Sequence, residues 1–137
     1  MSTHTFLKDC STMPDASNMR FGLVAAEWNS HLTNVLLEQA VSALLATGAK
    51  EEHIIIKRVP GSFELIFGCS ELAKHSSVDA IIAIGSVIRG DTPHFDYICN
   101  GVTNELARQN TMGDIPVIYG LLTTENERQA IERIDGT

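Results

Sequence analysis

The sequence predicts an α/β domain: a three-layer αβα sandwich around a four-stranded parallel sheet. Two observations predict it. Short apolar runs alternate four times with stretches whose apolar residues recur at helical spacing, and strands joined by helical crossovers lie parallel with helices on both faces. The residues able to do chemistry fall at the ends of the apolar runs, which is where such sheets bind ligands. With 137 residues and 44% hydrophobic content, the chain has the size and composition of one globular domain.

Each element has a local cause. Residues 1–19 mix Ser, Thr, Asp, Asn and Pro14 around one apolar pair, Phe6-Leu7. They read as an N-terminal arm, able to add a strand to a neighbouring subunit, and residues 20–137 as the domain. Arg20 to Glu27 reads as the first strand. It runs into Trp28-Asn29-Ser30, where the only tryptophan of the chain is either a core or lid aromatic or an aromatic wall for a flat ligand. Ser30 to Thr47 carries Leu32, Val35, Leu36, Ala40, Ala43 and Leu44 at helical spacing, and Gly48 stops it. Ile54 to Val59 is β-branched and predicts a second strand buried on both faces.

Pro60-Gly61-Ser62 reads as a turn feeding a helix cap at Ser62, with the helix running to about Lys74. Glu64 suits the helix dipole, or alternatively accepts hydrogen bonds from ligand hydroxyls. Val78 to Val87 is the third strand, and Gly85 and Gly90 loosen the backbone that follows. Thr92-Pro93 is a helix start, Thr as cap and Pro in the first helical position. The third helix runs from His94 to about Asn110. Ile115 to Leu122 is the fourth strand. Thr124 and Glu127 form a capping box that opens a fourth helix containing Ala130, Ile131 and Arg133.

The stretch from Gly85 to Tyr97 organises the rest. It offers a strand end, a loop with free backbone N–H groups, a helix N-terminus that attracts anions, and an imidazole, His94, in the first helical turn. Histidine there is either structural or a proton-transfer group usable near neutral pH.

Composition and motifs exclude several classes. A net charge of −7, from 10 basic and 17 acidic residues, lacks the basic face that nucleic acid needs, although one or two local cations suffice for a small anion. Cys10, Cys69 and Cys99 are odd in number and without CxxC spacing, which points to a reducing cytoplasm rather than a disulfide framework. There is no secretory signal pattern and no run near the ~18 apolar residues of a membrane span. Neither GxGxxG nor GxxxxGK[ST] occurs, and no GxSxG elbow is present. The five histidines show no HxH or HxxxH spacing, so a metal site would have to be assembled at long range. A phosphorelay receiver would need paired carboxylates after the first strand and an aspartate ending the third, and has neither.

Taken together, Trp28-Asn29, Val59-Pro60-Gly61-Ser62-Phe63-Glu64, Val87-Ile88-Arg89-Gly90-Asp91-Thr92-Pro93-His94-Phe95-Asp96-Tyr97 and Pro116 to Thr124, with Gln129-Ala130 and Arg133, resemble the 6,7-dimethyl-8-ribityllumazine synthase family. The similarity runs from about Phe21 to Gly136. It implies a flavodoxin-like fold and, as activity, the condensation of 5-amino-6-(D-ribitylamino)uracil with 3,4-dihydroxy-2-butanone 4-phosphate, giving the lumazine, phosphate and water. This is the penultimate step of riboflavin biosynthesis, and it needs no cofactor or metal.

The resemblance also implies roles by position. Trp28 stacks on the pyrimidine. Ser62, Phe63 and Glu64 hold the pyrimidine and ribityl chain. Ser86, Val87 and Ile88 line the pyrimidine site, largely through backbone groups. Asp91 and Thr92 form the phosphate turn, Arg133 binds phosphate, and His94 moves protons. Tyr119, a position often Phe, reaches the site of the adjacent subunit, as Arg133 does. Family members form pentamers, sometimes decamers or 60-subunit shells. Ile66 stands where many have proline. Family members also continue into a lysine-bearing loop and a final helix, for which the sequence given has no counterpart. The alternatives are an archaeal-type riboflavin synthase and a non-catalytic flavin- or lumazine-binding shell protein.

Overall fold

The computed structural model describes residues 10–135. Four parallel strands form one sheet in the order β2-β1-β3-β4: β1 is Phe21–Ala26, β2 Ile54–Val59, β3 Ala80–Ile88 and β4 Val117–Thr124. Helices α1 (Ser30–Ala46), α2 (Leu65–His75), α3 (His94–Met112) and α4 (Glu127–Ile134) make the crossovers and the last layer. This is the predicted three-layer sandwich.

Alternation along the strands divides the core in two. Val24, Ile81, Ala83, Val117 and Leu121 face α2 and α3, where they meet Leu65, Cys69, Leu72, Val102 and Leu106. Phe21, Leu23, Ala25 and Ile84 face α1 and meet Leu37. Leu32 of α1 packs against Ala130 and Ile134 of α4, beside Leu122. All six residues of β1 are buried, because β1 lies between two strands and two helix layers. Each fully buried Leu or Ile contributes about 1.5–3 kcal/mol.

Five local readings change, the first at the start of α3, where Pro93 is the cap and His94 the first helical residue rather than Thr92 and Pro93. β2 is an edge strand, not one buried on both faces: Ile56, Lys57 and Arg58 are exposed, because the chain places nothing beyond it. The cap of α4 is Asn126, whose side chain accepts the Gln129 N–H, while Thr124 is still the buried last residue of β4. Ser62 is not the cap, a position that Gly61 takes. It is buried in a 3-10 turn (Ser62–Glu64), and the Glu64 carboxylate instead accepts the Gly61 N–H at 3.0 Å. Gly85 does not loosen the chain. It sits inside β3, where a Cβ would come within 2.6 Å of Leu121 Cδ1 and 2.7 Å of Ser62 Oγ, so its role is close packing of the turn on the sheet.

Part of the segment read as an arm is described. Cys10–Thr12 is a 3-10 turn, and Ala16 is buried with its N–H donated to the Thr47 carbonyl. Residues 1–9 of that arm, which the sequence reads as able to add a strand to a neighbouring subunit, lie outside the described residues. Among the described residues, no helix is long and apolar enough to cross a membrane.

Candidate active site

A cavity of about 670 Å³ opens at the C-terminal ends of β1, β2 and β3. Its walls come from four places in the chain: Trp28 and Asn29 after β1, Pro60 to Glu64 after β2, Ser86 to Ile88 at the end of β3, and His94 and Ile98 on α3. The parallel sheet is the reason they meet. Its strands end on one side, so each strand-to-helix turn falls there.

Trp28 is 74% exposed, which removes the reading of it as a core aromatic. Its position is held from behind. The Trp28 N–H donates to the Pro60 carbonyl, and the Glu27 N–H to Val59, so the β1 and β2 turns are tied together. Asn29 adopts a left-handed backbone, φ 60° and ψ 43°, and is the only non-glycine residue with positive φ among those described. Its carbonyl accepts the Leu32 and Thr33 N–H groups of α1, while its side-chain amide donates to the Ser86 carbonyl at 2.8 Å. One asparagine therefore ends β1, starts α1 and bridges to β3.

Ser86 lines the cavity but is only 1% exposed, and its hydroxyl is buried with no partner in the protein. A buried hydroxyl left unpaired is costly. Glu64 uses Oε2 on Gly61, which leaves Oε1 for a ligand hydroxyl. Phe63 is an exposed aromatic on the same wall, and Val87 and Ile88 give an apolar lining. His94 begins α3, its N–H directed at the Thr92 hydroxyl at 3.4 Å.

The cavity thus gathers Trp28, Ser62, Phe63, Glu64, Ser86, Val87, Ile88 and His94. Four of the sequence-predicted residues do not line it. Asp91 and Thr92 lie in the exposed loop just before α3. Tyr119 is 44% exposed on the edge strand β4, its hydroxyl 2.9 Å from Thr103 Oγ1. Arg133 lies on α4 and donates to the Gln129 carbonyl at 2.9 Å. Conversely, Asn29, Pro60, Gly61 and Ile98 line the cavity without having been singled out as site residues. For Asn29 a signal was present: asparagine is among the few residues that accept a left-handed backbone, and here it stands between a strand and a helix. Ile98 reads only as part of the buried face of its helix.

Among the described residues, no group of three or more His, Cys, Asp or Glu side chains is arranged to hold a metal ion. The site's resources are an exposed indole, apolar walls, a carboxylate, a hydroxyl, a row of backbone groups at a helix start, and an imidazole. That set suits a flat polar ring with a polyol arm and an adjacent anion.

Comparison with known proteins bears on which reaction this is. The family model described as 6,7-dimethyl-8-ribityllumazine synthase matches residues 18–137. A 6,7-dimethyl-8-ribityllumazine synthase of Phocaeicola vulgatus is 55% identical over 128 residues, covering 93% of this chain and 76% of its own. That of Bacteroides fragilis is 57% identical over 118 residues, 86% of this chain and 82% of its own. That of Parabacteroides distasonis is 52% identical over 128 residues, 93% and 80% respectively.

Proposed function

The chain belongs to the 6,7-dimethyl-8-ribityllumazine synthase family, and from that premise we propose how its own residues carry out the reaction. The enzyme is a transferase of riboflavin biosynthesis. It condenses 5-amino-6-(D-ribitylamino)uracil with 3,4-dihydroxy-2-butanone 4-phosphate to 6,7-dimethyl-8-ribityllumazine, phosphate and water. Family membership gives no support to the riboflavin synthase alternative.

The observation that carries the residue assignment is the convergence of Trp28, Ser62 to Glu64, Ser86 to Ile88 and His94 on one cavity. The pyrimidine stacks on Trp28 between the apolar walls, its polar edge toward the backbone of Ser86 to Ile88. The ribityl chain runs along Ser62 and Phe63 to the free oxygen of Glu64. The phosphate sits on the loop N–H groups at Asp91 and Thr92, at the positive end of α3, where backbone donors make an aspartate side chain tolerable.

The chemistry then needs positioning and proton transfer. The ring amine attacks the ketone, and loss of water gives an imine. Proton removal next to the imine expels phosphate. The enol left by phosphate loss is protonated at its terminal carbon, which becomes a methyl group, and its hydroxyl-bearing carbon becomes a carbonyl. The ribityl-bearing nitrogen closes the second ring on that carbonyl and a second water leaves. Holding two flexible reactants together supplies most of the acceleration. His94 passes the protons, for a further ~10²-fold or more.

Tyr119 and Arg133 lie away from the cavity of their own chain, on an edge strand and an outer helix. This supports their serving a neighbouring subunit's cavity in a homo-oligomer, with a pentamer as the proposed unit. A reducing cytoplasm suits the unpaired Cys69 and Cys99.

The test mixes purified protein with both substrates and follows lumazine absorbance above the uncatalysed rate, beside His94→Ala. Turnover about 10²-fold lower in the variant, with product still bound, supports the assignment. Undiminished turnover removes His94 from the chemistry. Product binding without turnover in the parent protein indicates a binding or shell-forming role instead.

A further inference from the structure

We propose that Arg89 is a positioning residue that clamps the phosphate loop and the first turn of α3 from outside the cavity. This rests on the site reading above and adds to it a part that never touches substrate. Arg89 follows β3 directly, and its N–H donates to the Thr124 carbonyl at the end of β4. Its guanidinium is held on three sides. Nε donates to Glu125 Oε2 at 2.7 Å, Nη1 to Asp96 Oδ1 at 3.2 Å, and the plane lies over the Phe95 ring, 4.3 Å from its centroid.

Those partners frame His94. Phe95 and Asp96 are the next two residues of α3, so the side chain that closes the strand end also grips the turn carrying the imidazole. Only Gly90 to Pro93 spans the gap between the two anchored ends, and nothing packs within 4 Å of where a Gly90 side chain would be. An open arch of that kind keeps its N–H groups aimed at one point only if both feet are fixed. The planar fork of arginine can meet two carboxylates and a ring face at once, which a lysine ammonium cannot.

The charge balance argues against Arg89 as a phosphate ligand. Glu125 and Asp96 together outweigh its positive charge, and both hold its donors. The cluster is net negative beside a site proposed to bind an anion, so it acts through geometry.

Geometry and charge predict opposite signs, which makes the test decisive. Steady-state KM for each substrate is measured for Arg89→Gln, Arg89→Lys, Asp96→Asn, Glu125→Gln and the Arg89→Gln/Glu125→Gln double variant, with circular dichroism as a folding check. A clamp predicts that Arg89→Gln raises KM for the phosphate substrate about tenfold while KM for the pyrimidine changes less than about twofold. It predicts that Glu125→Gln, which removes a negative charge, also raises it, by roughly threefold, that the double variant is no worse than Arg89→Gln, and that Arg89→Lys does not rescue.

A lower KM for the phosphate substrate in Glu125→Gln, an unchanged KM in Arg89→Gln, or equal rises for both substrates overturns the proposal. If Arg89→Gln does not fold, the two carboxylate variants carry the same test. His94→Ala is assayed alongside. A loss of turnover there with no effect at Arg89 rejects the clamp alone, and no loss at His94 rejects the site reading beneath it.

Discussion

Replacing Asn29 separates backbone strain from hydrogen bonding at the cavity wall. Asn29 holds φ 60° and ψ 43° and donates its side-chain amide to the Ser86 carbonyl at 2.8 Å. In Asn29→Gly the left-handed backbone costs nothing, but the hydrogen bond is lost, about 1 kcal/mol, and the unfolded chain gains freedom worth about 0.5–1 kcal/mol. In Asn29→Ala the same bond is lost and an L side chain is held in the left-handed region, at roughly 1–2 kcal/mol. The two losses come to about 1.5–2 and 2–3 kcal/mol, so glycine, poorer than alanine inside a helix but better at its cap, should be the more stable variant. Urea unfolding at fixed protein concentration measures the order. Both variants should also raise KM for the pyrimidine several-fold, roughly 3–10-fold, because the bridge that fixes the Trp28 turn against β3 is gone. An alanine variant as stable as the glycine variant, or either within about 0.5 kcal/mol of the parent, would show that neither strain nor the bridge acts as described.

Three further outcomes are expected. Gly85→Ala places a Cβ 2.6 Å from Leu121 Cδ1, 2.7 Å from Ser62 Oγ and 3.1 Å from Leu65 Cδ1; overpacking should cost about 1–3 kcal/mol in thermal or urea unfolding and weaken pyrimidine binding through the displaced Ser62 turn. Burial pushes the Cys69 thiol up to about 12, so the unfolded chain releases that proton first as pH rises; its stabilising share is whole below the ordinary thiol range and is lost from there toward pH 12, and a series of unfolding curves should fall less steeply with pH in Cys69→Ala than in the parent. Co-refolding His94→Ala with Arg133→Ala subunits in equal amounts should restore activity at about a quarter of the sites if each site takes its histidine and arginine from different chains, whereas no recovery would place both in one chain.

The fold was legible because its causes are local. Four apolar runs, four stretches of helical periodicity and the residues between them leave a parallel sheet as the arrangement that buries both kinds of face. What local pattern does not carry is strand order. Ile54-Ile55-Ile56 has the composition of a central strand, yet β2 is an edge strand, and only the register of Phe21 with Ile54 on one side and Ala80 on the other reveals it. The caps failed for a related reason. Thr124 and Asn126 are both good caps with a suitable residue three positions on, and the length of β4 decides between them: its pairing with β3 extends to Ile88 opposite Thr124, so the helix cannot begin until the ladder ends.

The candidate site divides along the same line. Residues that follow strand ends could be placed from sequence, since a parallel sheet brings those ends together whatever the strand order; this is why Trp28, Glu64, Ser86 and His94 share a cavity. Residues that matter through what they touch elsewhere could not be. Asn29 reaches Ser86, 57 positions away, and Arg89 reaches Glu125, 36 positions away, and neither partner is marked by spacing. Tyr119 and Arg133 fall in a third class. Their positions on β4 and α4 are set by the fold of one chain, but the cavity they would serve is set by how chains pack. Within one chain the exposed tyrosine meets the Thr103 hydroxyl and the arginine a carbonyl of its own helix, and neither contact ties it to the cavity. Their proposed role depends on a surface that a second copy would supply, which is why exchange between subunits, rather than any single-chain measurement, is the experiment that addresses them.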